Sequence, residues 1–522
     1  MLSFRLQQLR LLACNSLNKS HRNIIRSVAS GTYNVTTPLN FIGGQRVETE
    51  ESLSIIDVIE PATGKVMCQM HECGATDVNN AVNAAKQAQL EWGKLSGFER
   101  GKILSKSSVL LKQKQEEIAR MEVYDTGKPI QEARVDVQTA IDSIEYFSGI
   151  ASTLCGQHFS LPNGSFGYTR REPLGVVAAI GAWNYPIQIA AWKAAPALAT
   201  GNAVVCKPSQ FTPLTAVALA EVFIEGGLPS GLFNVVQGAG ETGNHLTRHP
   251  DVAKVTFTGS IETGSKVMQN CAADIRHVTL ELGGKSPLIL FGDCDITNAV
   301  NGALMANFLS QGQVCSNGTR VFIQDDIYDE VVTMLVERTL GIKHGDPHHE
   351  HTKMGAMMNE EHAHKVMGFI ERAKKEGAEV LCGGELVQME DPVLRGGSYI
   401  SPCIIKTGPS DSMEISREEL FGPVMNVYSF KTEDEVIRRA NDSKYGLASG
   451  VFTKDIQRAH RVAASMQAGS CYINNYNIFP IEMPFGGYKK SGLGRENGTV
   501  TVDYFTQLKT VYVEMNDVEC SL

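Results

Sequence analysis

The chain has 522 residues, enough for two or three domains, and its 43% hydrophobic content is ordinary for a globular protein. A net charge of -9 without any long Lys/Arg stripe argues against a nucleic-acid partner, and no apolar run reaches the roughly 18 residues that cross a bilayer. The 12 cysteines are scattered without CxxC pairs, which fits free thiols in a reducing compartment; Cys68, His71 and Cys73 lack a second ligand pair, so no metal site is expected.

Residues 1–32 stand apart. Arg5, Arg10, Lys19, Arg22 and Arg26 punctuate Leu, Ser and Asn, and no acidic residue precedes Glu48. That is the composition of a mitochondrial transit segment and also of a basic tail with no address. The segment is set aside as a leader open to cleavage. Short strands are expected at 55–59 and 66–70, then a helix capped by Thr76 and carrying Val78, Val82, Ala85 and Trp92. Longer helices are expected over 98–126 and 130–154, followed by a polar and aromatic excursion at 159–173.

From Gly175 onward, strands at 175–182, 203–206, 233–236, 254–257 and 277–282 alternate with helices such as 187–199 and 213–225. Near-continuous apolar strands between helices predict an α/β fold with a doubly wound parallel sheet. A second α/β series starts at 287–291, after Gly283-Gly284, and runs to about residue 485. The alternating segment 508–514 reads as an edge strand that, with 159–173, could pair across a subunit boundary.

One thiol has a setting suited to chemistry. A helix expected from about residue 295 to 309 leads into Gln311-Gly312-Gln313-Val314-Cys315-Ser316-Asn317-Gly318, a loop in which a substrate can approach Cys315. Gly238-Ala239-Gly240-Glu241-Thr242-Gly243 matches G-x-G-x-x-G but lacks an acidic residue about twenty positions on. The next strand-to-helix junction, with Gly259, Ser260 and Gly264, is the better phosphate candidate, because free N–H groups at a helix N-terminus favour an anion.

Gly181-Ala182-Trp183-Asn184-Tyr185-Pro186, Cys206-Lys207-Pro208-Ser209, Leu280-Glu281-Leu282-Gly283-Gly284-Lys285, Gly312-Gln313-Val314-Cys315, Glu419-Leu420-Phe421-Gly422-Pro423 and Pro484-Phe485-Gly486-Gly487 occur in the order seen in the aldehyde dehydrogenase superfamily. The resemblance covers nearly everything from about residue 36. Tyr168 to Gly175 and Asn474 to Asn477 are most similar to the betaine-aldehyde branch.

The resemblance implies an aldehyde dehydrogenase-like fold of two doubly wound parallel-sheet domains plus a small β oligomerisation segment. By it, 33–154 and 174–282 form an NAD-binding domain, 283–485 a catalytic domain, and 155–173 with 497–516 the oligomerisation segment of a homotetramer. It implies Cys315 as nucleophile, Glu281 as general base and Asn184 as oxyanion donor. The cofactor would be NAD, held by Lys207, Gly259, Ser260, Gly264, Glu419 and Phe421, with Lys193, Gln210 and Gly240 nearby. Gln210 stands where many NAD-preferring members have Glu, so NADP is less firmly excluded. Tyr185, Trp192, Tyr476 and Phe485 would line the substrate tunnel, with Asp136 at its mouth, a setting for a cationic aminoaldehyde. Plain aliphatic aldehydes fit aromatic walls too. Two other classes stay open: a thiol hydrolase without redox chemistry, and a silent binding protein on this fold.

Overall fold

The computed structural model describes residues 38–408, 411–520 and 522; the leader expected over residues 1–32 lies outside them. Two large sheets organise the chain. In the first, Val176–Ile180, Ala203–Lys207, Phe233–Val235, Val252–Thr258 and His277–Glu281 run parallel, flanked by antiparallel edges from Asn40–Ile42 with Gln45–Val47 and from Gly492–Leu493. Strands buried on both faces explain their unbroken apolar sequence. The chain leaves Val176–Ile180 to build outward on one side, then returns to place Val252–Thr258 on the other. The C-terminal ends of those two strands form a topological switch point, where open α/β sheets hold ligands.

The second sheet has seven strands, with Pro287–Leu290 between Arg320–Gln324 and Ala448–Phe452 and all parallel except Glu379–Cys382 at one edge. Glu281 ends the last parallel strand of the first sheet, and only Leu282 to Ser286 separate it from Pro287–Leu290. The linker between the two sheets therefore begins directly after a candidate catalytic carboxylate.

Several boundaries differ from expectation. Gly74, not Thr76, caps the helix Ala75–Trp92, because the Glu51 carboxylate arrives from another segment and takes the Thr76 N–H at 2.8 Å. The stretch 98–126 is two helices, Gly97–Gln113 and Gln115–Thr126, broken at Lys114; the first opens with a capping box between Ser96 and Glu99. The helix expected over 130–154 stops at Ile150. Gly492–Leu493 rejoins the first sheet beside His277–Glu281, a return from the second unit that the sequence pattern does not signal. Thr506–Val513 pairs with Phe166–Pro173 inside this chain, in a three-stranded sheet completed by His158–Ser160. Among the described residues no helix is long and apolar enough to cross a membrane.

Candidate active site

A cavity of about 750 Å³ lies between the two sheets. Its walls begin at the switch point: Ala182, Trp183 and Asn184 follow Val176–Ile180, and Thr258, Gly259 and Ser260 end or follow Val252–Thr258. Ser260, which lines the cavity, caps the helix Ile261–Ala272 by accepting from the Thr263 N–H at 3.2 Å, so the helix starts at the cavity wall. Cys315, Glu281, Glu419 and Phe421 line the same space, as do Tyr185, Trp192, Phe485 and Asp136.

The glycines of the linker permit this convergence. A Cβ on Gly283 would lie 1.9 Å from Glu419 Oε2, and one on Gly284 would lie 2.4 Å from the Cys315 carbonyl. Instead, the bare Gly284 N–H donates to Glu419 Oε1 at 3.0 Å. The helix expected to end near residue 309 spans Ile296–Phe308, capped by Asp295, and Ser310, Gln311 and Gly312 then adopt left-handed φ of 47°, 56° and 72°. Such a run is costly for side-chain-bearing residues and is held here by its contacts: Glu132 Oε2 accepts from both the Ser310 N–H at 2.7 Å and its hydroxyl at 2.9 Å. The result presents Cys315, half-buried, to the cavity.

Burial, with Glu419 and Glu281 nearby, pushes the Cys315 thiol up from its ordinary range. Glu281 is buried with both carboxylate oxygens unpartnered among the described residues, and burial together with Glu496 raises its pKa well above the usual carboxylate value. Glu496 itself is ion-paired with Lys193 and hydrogen-bonded to Thr256. Burial also raises Glu419 to about 7. The Asn184 amide is buried and rests on the Gln313 carbonyl at 2.9 Å, one residue-pair away from the thiol in the chain. A thiol, an unpaired carboxyl and an amide donor on one cavity are the parts needed to form, stabilise and hydrolyse an acyl adduct.

Not every expected residue is there. Tyr476 does not line the tunnel: its ring packs under Gly450 and Gly318 and its hydroxyl donates to the Ser316 carbonyl at 2.9 Å, while its neighbours Asn477, Ile478, Phe479 and Pro480 form the wall. Lys193, expected near cofactor or oxyanion, does not line the cavity: its ammonium pairs with Glu496, which does. Gly264 is outside the cavity and small for packing, since a Cβ there would come 2.6 Å from Leu282. Lys207, Gln210 and Gly240 are also outside it; the Lys207 ammonium donates to the carbonyls of Pro208 and Gly238, and burial lowers its pKa to about 8. Asp136 lines the cavity but is already paired with Lys128.

Sequence reasoning missed Glu132, His362, Lys365 and Glu496, all cavity-lining. Glu132 was legible in part, because Gln131, Glu132, Val135, Asp136 and Thr139 recur at helical spacing on Ile130–Ile150 and form one stripe of the wall. His362 donates from Nε2 to the carbonyl of Phe421, at 2.7 Å, and Phe421 has a left-handed φ of 58°; nothing local marks that contact.

Residues 47–511 match the Aldehyde dehydrogenase family model. The chain belongs to the aldehyde dehydrogenase family. This aldehyde dehydrogenase is 57% identical over 494 residues to 4-trimethylaminobutyraldehyde dehydrogenase A of Danio rerio, covering 95% of this chain and 97% of that one. It is 56% identical to the human 4-trimethylaminobutyraldehyde dehydrogenase, covering 94% and 99%. Among solved structures, a betaine aldehyde dehydrogenase of Staphylococcus aureus in complex with NAD+ superimposes with a TM-score of 0.89 at 37% identity, covering 93% of this chain and 96% of that one. The two-sheet aldehyde dehydrogenase architecture described above is thus the family's, and its betaine-aldehyde and trimethylaminobutyraldehyde members are similar over nearly their whole length.

Proposed function

We propose that this aldehyde dehydrogenase oxidises a small cationic aldehyde to its carboxylic acid with NAD, by way of an acyl adduct on Cys315. The observation that carries the reading is one cavity lined by Cys315, Glu281 and Asn184 and also by Gly259 and Ser260 at the start of Ile261–Ala272. The residues present suit a dinucleotide: an anion-favouring helix start at Ser260, the unpartnered Thr258 hydroxyl, and Glu419 with Phe421 near the thiol. Nicotinamide bound there supplies the hydride acceptor.

Cys315 gives up its proton to solvent and its sulfur attacks the carbonyl carbon, moving the π electrons onto oxygen. The Asn184 amide and the Cys315 backbone N–H then donate to the alkoxide, each donor worth about 3 kcal/mol. Collapse of the alkoxide with loss of hydride leaves a thioester. Glu281, once its own proton has passed to solvent, takes a proton from water as it adds to the acyl carbon, and the Cys315 thiolate leaves, ready for the next aldehyde.

The relatives' names support a trimethylammonium substrate, and the walls are suited to it. Trp192 and Phe485 meet edge to face at 5.8 Å, Phe479 follows at 5.2 Å, and aromatic faces attract a desolvated quaternary ammonium by about 0.5–2 kcal/mol each. Because Asp136 is paired with Lys128, Glu132, on the same helical stripe of the wall and away from the catalytic Glu281 in the chain, is the carboxylate we assign to the cation; its Oε1 has no partner among the described residues. Side-by-side turnover of 4-trimethylaminobutyraldehyde, betaine aldehyde and hexanal tests this. The expected order in kcat/KM puts the trimethylammonium aldehydes first. A preference for hexanal would keep the reaction and remove the substrate.

Burial holds the Glu132 carboxyl up at about 7, against the lowering effects of Lys128 and of the Ser310 hydrogen bonds. Below that pH the group is neutral and attracts no cation; above it the carboxylate does. KM for 4-trimethylaminobutyraldehyde is therefore expected to fall as pH rises through about 7, while KM for hexanal stays level. Parallel responses of the two substrates would show that Glu132 does not sense the cation.

We also assign residues 33–154 with 174–282 to cofactor binding and 283–485 to catalysis, following the two sheets. The three-stranded sheet of Thr506–Val513, Phe166–Pro173 and His158–Ser160 supports an oligomerisation role in a homotetramer, which sedimentation would separate from a dimer. The basic composition of residues 1–32 supports the mitochondrial matrix over the cytosol. Failure of those residues to direct a fused reporter into mitochondria would favour the cytosol.

A further inference from the structure

Gly127-Lys128-Pro129 has no part in the chemistry described so far, yet the chain folds it against the cavity wall. The helix Gln115–Thr126 ends on Gly127 in the left-handed region at φ 70°, where a Cβ would also come 2.8 Å from Pro61. Pro129 then starts the helix Ile130–Ile150. Between this stop and start Lys128 turns inward until its side chain is 1% exposed. A buried ammonium is costly unless fully partnered, and this one is. It pairs with Asp136, donates to the Asn184 carbonyl at 2.7 Å, and sits 3.9 Å from the centre of the Tyr185 ring.

Those partners lie on separate elements. Asp136 belongs to Ile130–Ile150, whereas Asn184 and Tyr185 form the turn into Pro186–Ala199, a helix whose N-cap residue Tyr185 supplies no side-chain cap. Lys128 therefore ties the turn to a rigid neighbouring helix. On the other side of the same residue, the Asn184 amide reaches the Gln313 carbonyl at 2.9 Å, two positions before Cys315. The backbone of Asn184 is gripped from behind by the ammonium while its side chain points to the nucleophile loop.

We infer that Lys128 is a positioning residue for the oxyanion donor: by holding the Asn184 carbonyl it sets the Asn184 amide where the alkoxide of the Cys315 adduct develops. This rests on the proposed donor role of Asn184. Misplacing a catalytic group by about 1 Å costs on the order of 10²-fold, comparable to the 10²–10³-fold lost with an oxyanion donor itself.

The test is a double-mutant cycle in the full chain with NAD and the best aldehyde. Lys128→Met is expected to lower kcat about 10²-fold while leaving KM for NAD within about twofold, the pattern of an interaction made in the transition state. Asn184→Ala is expected to lose as much or more. Adding Lys128→Met to Asn184→Ala should then cost nothing further, because the ammonium has no donor left to place. Losses that multiply would overturn the inference, as would a Lys128→Met enzyme with unchanged kcat. Lys128→Met strands the Asp136 carboxylate, so the cycle is repeated on an Asp136→Asn background, where the buried charge is gone. A wild-type enzyme that turns over no aldehyde removes the Asn184 role and this inference together. An active wild type with multiplying losses removes the Lys128 role alone.

Discussion

Cys315→Ala is expected to abolish aldehyde-dependent NAD reduction, by about 10⁴-fold or more, with the fold intact. Losing a covalent nucleophile commonly costs that much because no neighbouring group can take its place. Here the other thiols of the neighbourhood are not substitutes: Cys294 and Cys403 are buried in the core of the second unit, and Cys471 lies on a strand. The sulfur is met only by the backbone N–H groups of Cys315 and Ser316, so its removal breaks no ion pair or side-chain network and the melting temperature should shift little. Activity retained within tenfold would mean that the thiol is a bystander. Ester hydrolysis by the wild type without nicotinamide, lost in Cys315→Ala, with no aldehyde-dependent NAD reduction, would favour the thiol-hydrolase class.

Glu281→Gln is expected to separate the two halves of the reaction. The amide cannot accept a proton from water, so thioester hydrolysis should slow by about 10²–10⁴-fold while adduct formation survives. Rapid mixing should then show a burst of NADH close to one per active site, followed by slow steady turnover. Because both Glu281 oxygens are unpartnered among the described residues and burial with Glu496 disfavours the charged form, the neutral amide should be tolerated with little change in stability. Absence of a burst, with kcat reduced, would move Glu281 to the thiol-activation step. Unchanged kcat would remove it from the mechanism.

How these residues could be read in advance follows from the range of the forces that place them. Strand and helix alternation, the helix leading to Cys315 and the phosphate-suited junction at Ser260 are local: they depend on apolar periodicity, caps and glycines within a dozen residues, and the structure places each within a few positions of its expected bounds. The motif residues Cys315, Glu281, Asn184, Glu419 and Phe421 were legible for the same reason, each standing in a short distinctive run.

Side-chain direction in irregular backbone was not legible. Asn474, Asn477 and Phe421 take left-handed φ, and one such residue is enough to turn Tyr476 into the core and its neighbours Asn477 and Phe479 into the wall. Charge state was equally hidden, because it is settled by partners far apart in the chain. Asp136 reads as a free carboxylate until Lys128 is folded onto it, and Lys193 reads as a cofactor ligand until Glu496, more than three hundred residues later, arrives to pair with it. Local sequence was sufficient for the elements and the chemical vocabulary of this protein, since backbone sterics and apolar periodicity act over a few residues. Packing of the two sheets decided which of those side chains face one another across the cavity, because burial makes an ion pair or a hydrogen bond obligatory only once its partners have been brought together.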